Sequence, residues 1–202
     1  MPKNQIRVND MYDHLYKIIQ SDDFLQMLGL GNEVPFFICP YPPEQEIDIN
    51  IMREGLVNKL HEAGVMVLDI DLYDLCVQIL KQRGIWARTL EKEVQIDKPK
   101  LKELLSNVLD PEQHLVPAIV EKMKNAHHFD VMFLSGVGQI FPYIRSHSIL
   151  NNLQSKAEDK PTVIFFPGGY THSLEEGAAL NLFNKLNDDK YYRAFNILDY
   201  RI

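Results

Sequence analysis

Residues Phe129–Gln154 read FDVMFLSGVGQIFPYIRSHSILNNLQ, an apolar run followed by a glycine turn, a proline and a polar segment. Asp130–Ser135 is nearly continuous in apolar character, the pattern of a strand covered on both faces. Gly136 and Gly138 then mark a tight turn, Pro142 restricts it, and Arg145, His147, Asn151 and Asn152 crowd the segment behind. That crowding has two explanations, an exposed recognition surface or a polar network satisfied from within.

Working outward, runs rich in β-branched and aromatic residues recur at Val34–Cys39, Val65–Ile70, Thr162–Phe166 and Ala194–Leu198, with helical patterns between them. The reading predicts an α/β chain, a single domain over residues 1–202 with a mostly parallel sheet of about five strands flanked by helices. Such a sheet is Rossmann-like or degenerate P-loop-NTPase-like. Asn9 or Asp10 is expected to cap a first helix running to Leu28 and ended by Gly29, and Asp48 a second ending at Gly64. Asp71 opens a third, whose Leu72, Leu75, Cys76 and Ile79 share one face.

Simple alternation of strand and helix lapses between Ile85 and Ala126. TLEKEVQIDKPK reads as a loop or short edge strand, followed by a helical elaboration at about 98–126. Later, VIFF is expected to stop at the turn-forming PGGYTHS, and a last helix to occupy Gly177–Lys185 before the terminal strand.

Composition narrows the function classes. The formal net charge is -7, which opposes nonspecific attraction to nucleic acid or anionic lipid. No apolar stretch approaches the roughly 18 residues that span a bilayer, and the start lacks a secretory pattern, so a cytoplasmic location is expected. The two cysteines, Cys39 and Cys76, lie in apolar runs and read as buried reduced thiols.

Ligands of an open parallel sheet bind beyond the carboxyl ends of its strands, and the unusual residues collect there. Nothing matches GxxxxGK[ST], and the PYPPEQE segment after the first strand has prolines without amide hydrogens and carboxylates that would repel phosphate. SGVGQI does not complete a GxGxxG fingerprint, and the third strand ends at Ser135 where a magnesium-dependent ATPase would place an acid. Ser135, Ser146, Ser148 and Cys39 lack any nucleophile signature around them. Asp71 and Asp74 read as a helix cap and a first-turn acid, with Asp69 nearby, and the adjacent His127 and His128 as groups at a helix terminus rather than metal ligands. No cofactor or metal is expected.

Taken together, GNEVPFFICPYPPEQE, VLDIDLYDL, DVMFLSGVGQIFPYIRSHSILNNLQ, VIFFPGGY and YYRAFNI resemble the BrxB family of bacteriophage exclusion (BREX) defence systems, from about Gly31 to Ile197. The resemblance implies a non-enzymatic accessory component working beside a DNA methyltransferase, a large ATPase and the alkaline-phosphatase-like protein PglZ, with PglZ its expected direct partner. Residues matching the family pattern are Gly136, Gly138, Pro142, Arg145, His147, Asn151 and Asn152, then Gly168, Tyr170, Tyr192 and Arg193. The alternatives are a degenerate nucleotide- or phosphate-binding domain acting through Arg145 and the Gly136–Gly138 turn, or DNA contact through Tyr191, Tyr192, Arg193 and Arg145.

Overall fold

A computed structural model of the chain describes residues 7–28, 35–157, 159–173, 177–187 and 194–201. Its strands are β1 (Phe36–Tyr41), β2 (Val67–Asp71), β3 (Val131–Ser135), β4 (Thr162–Ser173), β5 (Gly177–Leu182), β6 (Leu186–Asn187) and β7 (Phe195–Asn196). The parallel ladders run in the order β2-β3-β4-β1-β7, and β5 and β6 extend β4 as antiparallel partners. In a dinucleotide-binding sheet the first strand lies between the second and the fourth. Here it lies between the fourth and the last, in register with β4 from Phe36 opposite Thr162 to Tyr41 opposite Pro167.

Successive strand side chains point to opposite faces, so a strand covered on both sides must be apolar at every position. β3 is buried throughout. On one face, Phe37, Cys39, Phe133 and Phe165 pack with Met11 and Leu15 of α1 (Val8–Ile19), Phe24 of α2 (Asp22–Leu25) and Leu56 of α3 (Glu46–Glu62). On the other, Ile38, Leu134, Ile164 and Phe166 meet α4 (Leu72–Gln82), α6 (Lys98–Val108), α7 (Val116–Asn125) and α8 (Ser146–Gln154). α5 (Trp86–Glu93) joins this second layer only through half-buried residues such as Trp86. Phe133 and Phe165 meet edge to face at 5.3 Å in the middle of the sheet.

Several boundaries differ from the sequence reading. The first helix starts at Val8 without an Asn9 or Asp10 cap, stops at Ile19, and Ser21 caps the separate α2; Gly29 lies outside the described residues. The helix expected to follow Asp48 starts instead at Glu46, because the turn Pro43–Gln45 feeds it directly and proline fits a first helical turn. TLEKEVQIDKPK is not an edge strand, and only its middle is a loop: its first half completes α5, residues 94–96 turn, and Asp97 caps α6 by accepting from the Lys100 amide at 3.3 Å. The helical elaboration therefore begins before residue 98.

The largest correction concerns PGGYTHS and the segment behind it. β4 runs through these residues to Ser173, and the helix expected at Gly177–Lys185 is the hairpin of β5 and β6. Alanine and leucine favour a helix locally, but Leu180 and Leu182 are buried at period two against the sheet's second layer. Long-range pairing with β4 overrides the local preference. Among the described residues, no helix is long and apolar enough to cross a membrane.

Candidate functional site

The carboxyl ends of β2 and β3 are tied to each other. Asp71 closes β2, and its Oδ1 accepts from the Asp74 amide at 3.0 Å, which caps α4. Its Oδ2 accepts from the hydroxyl of Ser135, the last residue of β3, at 3.3 Å. Gly136 follows with φ +74°, and a Cβ there would stand 2.8 Å from Asp71 Oδ1. Only glycine lets the chain leave the strand in this left-handed conformation while lying on the carboxylate. One aspartate thus terminates a strand, starts a helix and receives the neighbouring strand's end.

The next turn is covered by the hairpin that the sequence reading took for a helix. Phe183, between β5 and β6, donates its amide to Pro167 O at 2.8 Å. Its ring lies so close to Gly138 that a Cβ there would be 2.9 Å from Phe183 Cε1 and equally near Pro167 Cγ. Phe141 meets the same ring edge to face at 6.3 Å. Phe183 holds a positive φ of 57°, a conformation costly for a bulky residue, and these contacts keep it there. Beneath the turn, a cavity lined by Leu134, Val137, Ile149 and Phe166 measures about 10 Å³, room for a water at most.

Gly168 lies in β4 opposite Leu182 and against the Asn181 carbonyl. Tyr170 is buried two residues on, and its hydroxyl donates to Ala194 O, fastening the hairpin strand to the start of the terminal segment. Burial pushes the Tyr170 hydroxyl up to about 12, with the Ala194 hydrogen bond opposing that shift. Gly136, Gly138, Gly168 and Tyr170 therefore gather at one end of the sheet.

The polar residues of α8 do not join them at one point. Arg145 is exposed at the N-cap position and makes no capping hydrogen bond with its side chain, while His147 sits half-buried in the first turn. Asn152 turns back along its own helix, donating to Ser148 O at 2.7 Å, and Asn151 faces outward. Tyr191, Tyr192 and Arg193 lie outside the described residues.

Sequence reasoning missed Phe183 and the double role of Asp71. The alternation Leu180-Asn181-Leu182 before Phe183-Asn184 was the available signal for the first, since Asn tolerates the positive φ of a hairpin turn. Nothing local signalled the second, because Ser135 is sixty-four positions away.

Other reactive groups are also engaged. Arg53 on α3 is buried and forms an ion pair with Asp69 on the edge strand β2. Burial pushes the Asp69 carboxyl up from its usual range, and the Arg53 guanidinium opposes that shift. Cys39 and Cys76 are free, buried thiols, each pushed up to about 12 by burial. His128 reaches Asp130 at 3.2 Å just beyond α7. Among the described residues no group of acidic, histidine and cysteine side chains is arranged to hold a metal ion.

Fold and site together define a parallel α/β domain in which a hairpin of its own chain packs on the turn after β3. Residues 68–197 match the family described as BREX protein BrxB. A BREX protein BrxB of Bacillus cereus (strain H3081.97) is 34% identical over 203 residues, covering 96% of this chain and 98% of the relative. Another, from Escherichia coli O9:H4 (strain HS), is 27% identical over 180 residues, covering 89% and 86%. The chain belongs to the BrxB family, a component of the BREX phage-defence system. No solved structure matches it.

Proposed function

We propose that this chain is a non-enzymatic interaction module that helps assemble the BREX complex, with PglZ its direct partner. The observation that carries the reading is the mutual packing at the ends of β2 and β3, where Asp71, Ser135 and Gly136 engage one another and Phe183 covers Gly138. Side chains placed to hold each other are poorly placed to hold a nucleotide or activate water. The net charge of -7 favours steering toward basic protein surfaces over independent binding to DNA.

Arg145, exposed beside the closed turn, is the contact residue proposed at this end, with Tyr192 and Arg193 a second pair. The same exposed guanidinium supports the rival phosphate-binding reading. Calorimetric titration of PglZ into the purified chain, with ATP and inorganic phosphate titrated in parallel, separates the two. Binding of PglZ that weakens in a folded Arg145→Ala variant supports the module. Heat from ATP or phosphate alone, lost in the same variant, overturns it.

A further inference from the structure

A second feature lies in the elaborated crossover, away from the strand ends. Residues of α5, α6 and the end of α4 line an open cleft of about 460 Å³. Its floor is aliphatic, formed by Ile85, Ile96, Leu101 and Leu104. Three cations line it, Arg83 from the end of α4 and Arg88 and Lys92 one turn apart on α5. No carboxylate contributes to the lining. In a chain of net charge -7 this patch carries the opposite sign to the whole.

The cations are not used up by the fold. Arg83 donates one guanidinium nitrogen to Val108 O at 2.8 Å, which holds the group at the mouth of the cleft with other donors left over. The side chains of Arg88 and Lys92 make no ion pair or hydrogen bond with any described residue. α5 itself buries no residue, yet its Thr89 and its N-cap residue Ile85 line the groove, with cations along the edge. A helix that adds so little to the core is better explained by what it offers outward.

We infer that this cleft is a docking groove for an acidic amphipathic helix of a partner protein. An aliphatic floor accepts apolar anchors spaced at i, i+3 or i+4 and i+7, and the rim cations meet carboxylates on the flanks of the same helix. Charge complementarity selects the sign of the partner. The lining has no aromatic ring, the platform on which unpaired bases stack, so single-stranded nucleic acid fits it poorly.

The inference deepens the interaction-module reading and rests on it, so its test is made independent of PglZ. The probe is a fluorescein-labelled synthetic amphipathic peptide without tryptophan, leucines on one face and glutamates on the other. It is titrated against the full chain by anisotropy, beside a lysine-for-glutamate counterpart and a short single-stranded oligonucleotide. Trp86, the only tryptophan and the first residue of α5, gives a second readout through its own emission. The glutamate peptide is expected to bind, to weaken with salt, and to lose about tenfold or more in affinity to Arg88→Glu/Lys92→Glu. The lysine peptide should prefer that reversed variant. If charge reversal perturbs the fold, Arg88→Gln/Lys92→Gln replaces it, with a smaller expected loss. Absence of glutamate-peptide binding, equal binding to the variants, or binding of the oligonucleotide alone would overturn the inference. PglZ titrated against the same proteins judges the module reading separately: failure of the parent to bind PglZ removes that partner without altering the peptide result.

Discussion

The ring of Phe183 occupies the space that a side chain on Gly138 would need, the two approaching so closely that a Cβ would lie 2.9 Å from Phe183 Cε1. This contact joins the turn after β3 to the hairpin after β4. Phe183→Ala is expected to destabilise by about 1–2 kcal/mol, below the ~3–5 of a fully buried phenylalanine because the ring is half-exposed. Gly138→Ala alone should cost about 1–3 kcal/mol through overpacking. The double variant should be less destabilised than the sum, since removing the ring makes room for the methyl group. Urea unfolding of the four proteins of this cycle gives the coupling.

Asp71 accepts from both the Asp74 amide and the Ser135 hydroxyl. Replacement by asparagine keeps an oxygen at the cap and should change stability little, whereas Asp71→Ala should lose about 1–2 kcal/mol from the cap and leave Ser135 without its partner. Thermal unfolding monitored by circular dichroism distinguishes the two substitutions.

Arg53 and Asp69 bind α3 to the edge strand. Removing one partner leaves the other charge uncompensated, so Asp69→Asn or Arg53→Met should each destabilise. The part-exposed position of Asp69 holds the loss to about 1–3 kcal/mol, below the ~3–5 of a fully buried pair. Arg53→Met combined with Asp69→Leu should recover much of that loss, which denaturant midpoints would show.

The buried thiols make stability alkaline-sensitive. Both are neutral in the folded chain until about pH 12, against an ordinary value of 9.0. Their contribution is therefore complete below about pH 9 and is lost as pH rises toward and through the folded value, because the unfolded chain releases protons first. Each thiol should add a slope of about 1.4 kcal/mol per pH unit in that window. Cys39→Ala should remove one thiol's share of that slope, about 1.4 kcal/mol per pH unit, while lowering stability at neutral pH. Iodoacetamide at pH 8 should modify neither thiol until the chain unfolds.

The parallel core was legible because strands covered on both faces are apolar at nearly every position, as β3 is from Val131 to Ser135. The Asp71 cap was legible for a local reason, a short polar side chain before a periodic apolar face. The hairpin was not, since Gly177–Lys185 contains good helix formers and the stretch of β4 that pairs with it begins at the glycine pair Gly168–Gly169, which reads as a stop. The candidate site divided along the same line. Gly136 and Gly138 were correctly placed at a strand end, but their reason for being glycine is contact with Asp71 and Phe183, and neither contact is local in sequence. Arg145, His147, Asn151 and Asn152 are neighbours in the chain, whereas helical geometry sets His147 and Asn151 one turn apart on one side of α8 and Asn152 on another.

Hydrogen–deuterium exchange of the purified chain, alone, with PglZ and with ATP, separates an assembly module from a nucleotide-binding domain. For an assembly module, PglZ is expected to slow exchange over a contiguous surface and ATP to leave residues 135–145 unchanged. Slowed exchange over 135–145 with ATP, together with no change anywhere on adding PglZ, would contradict it.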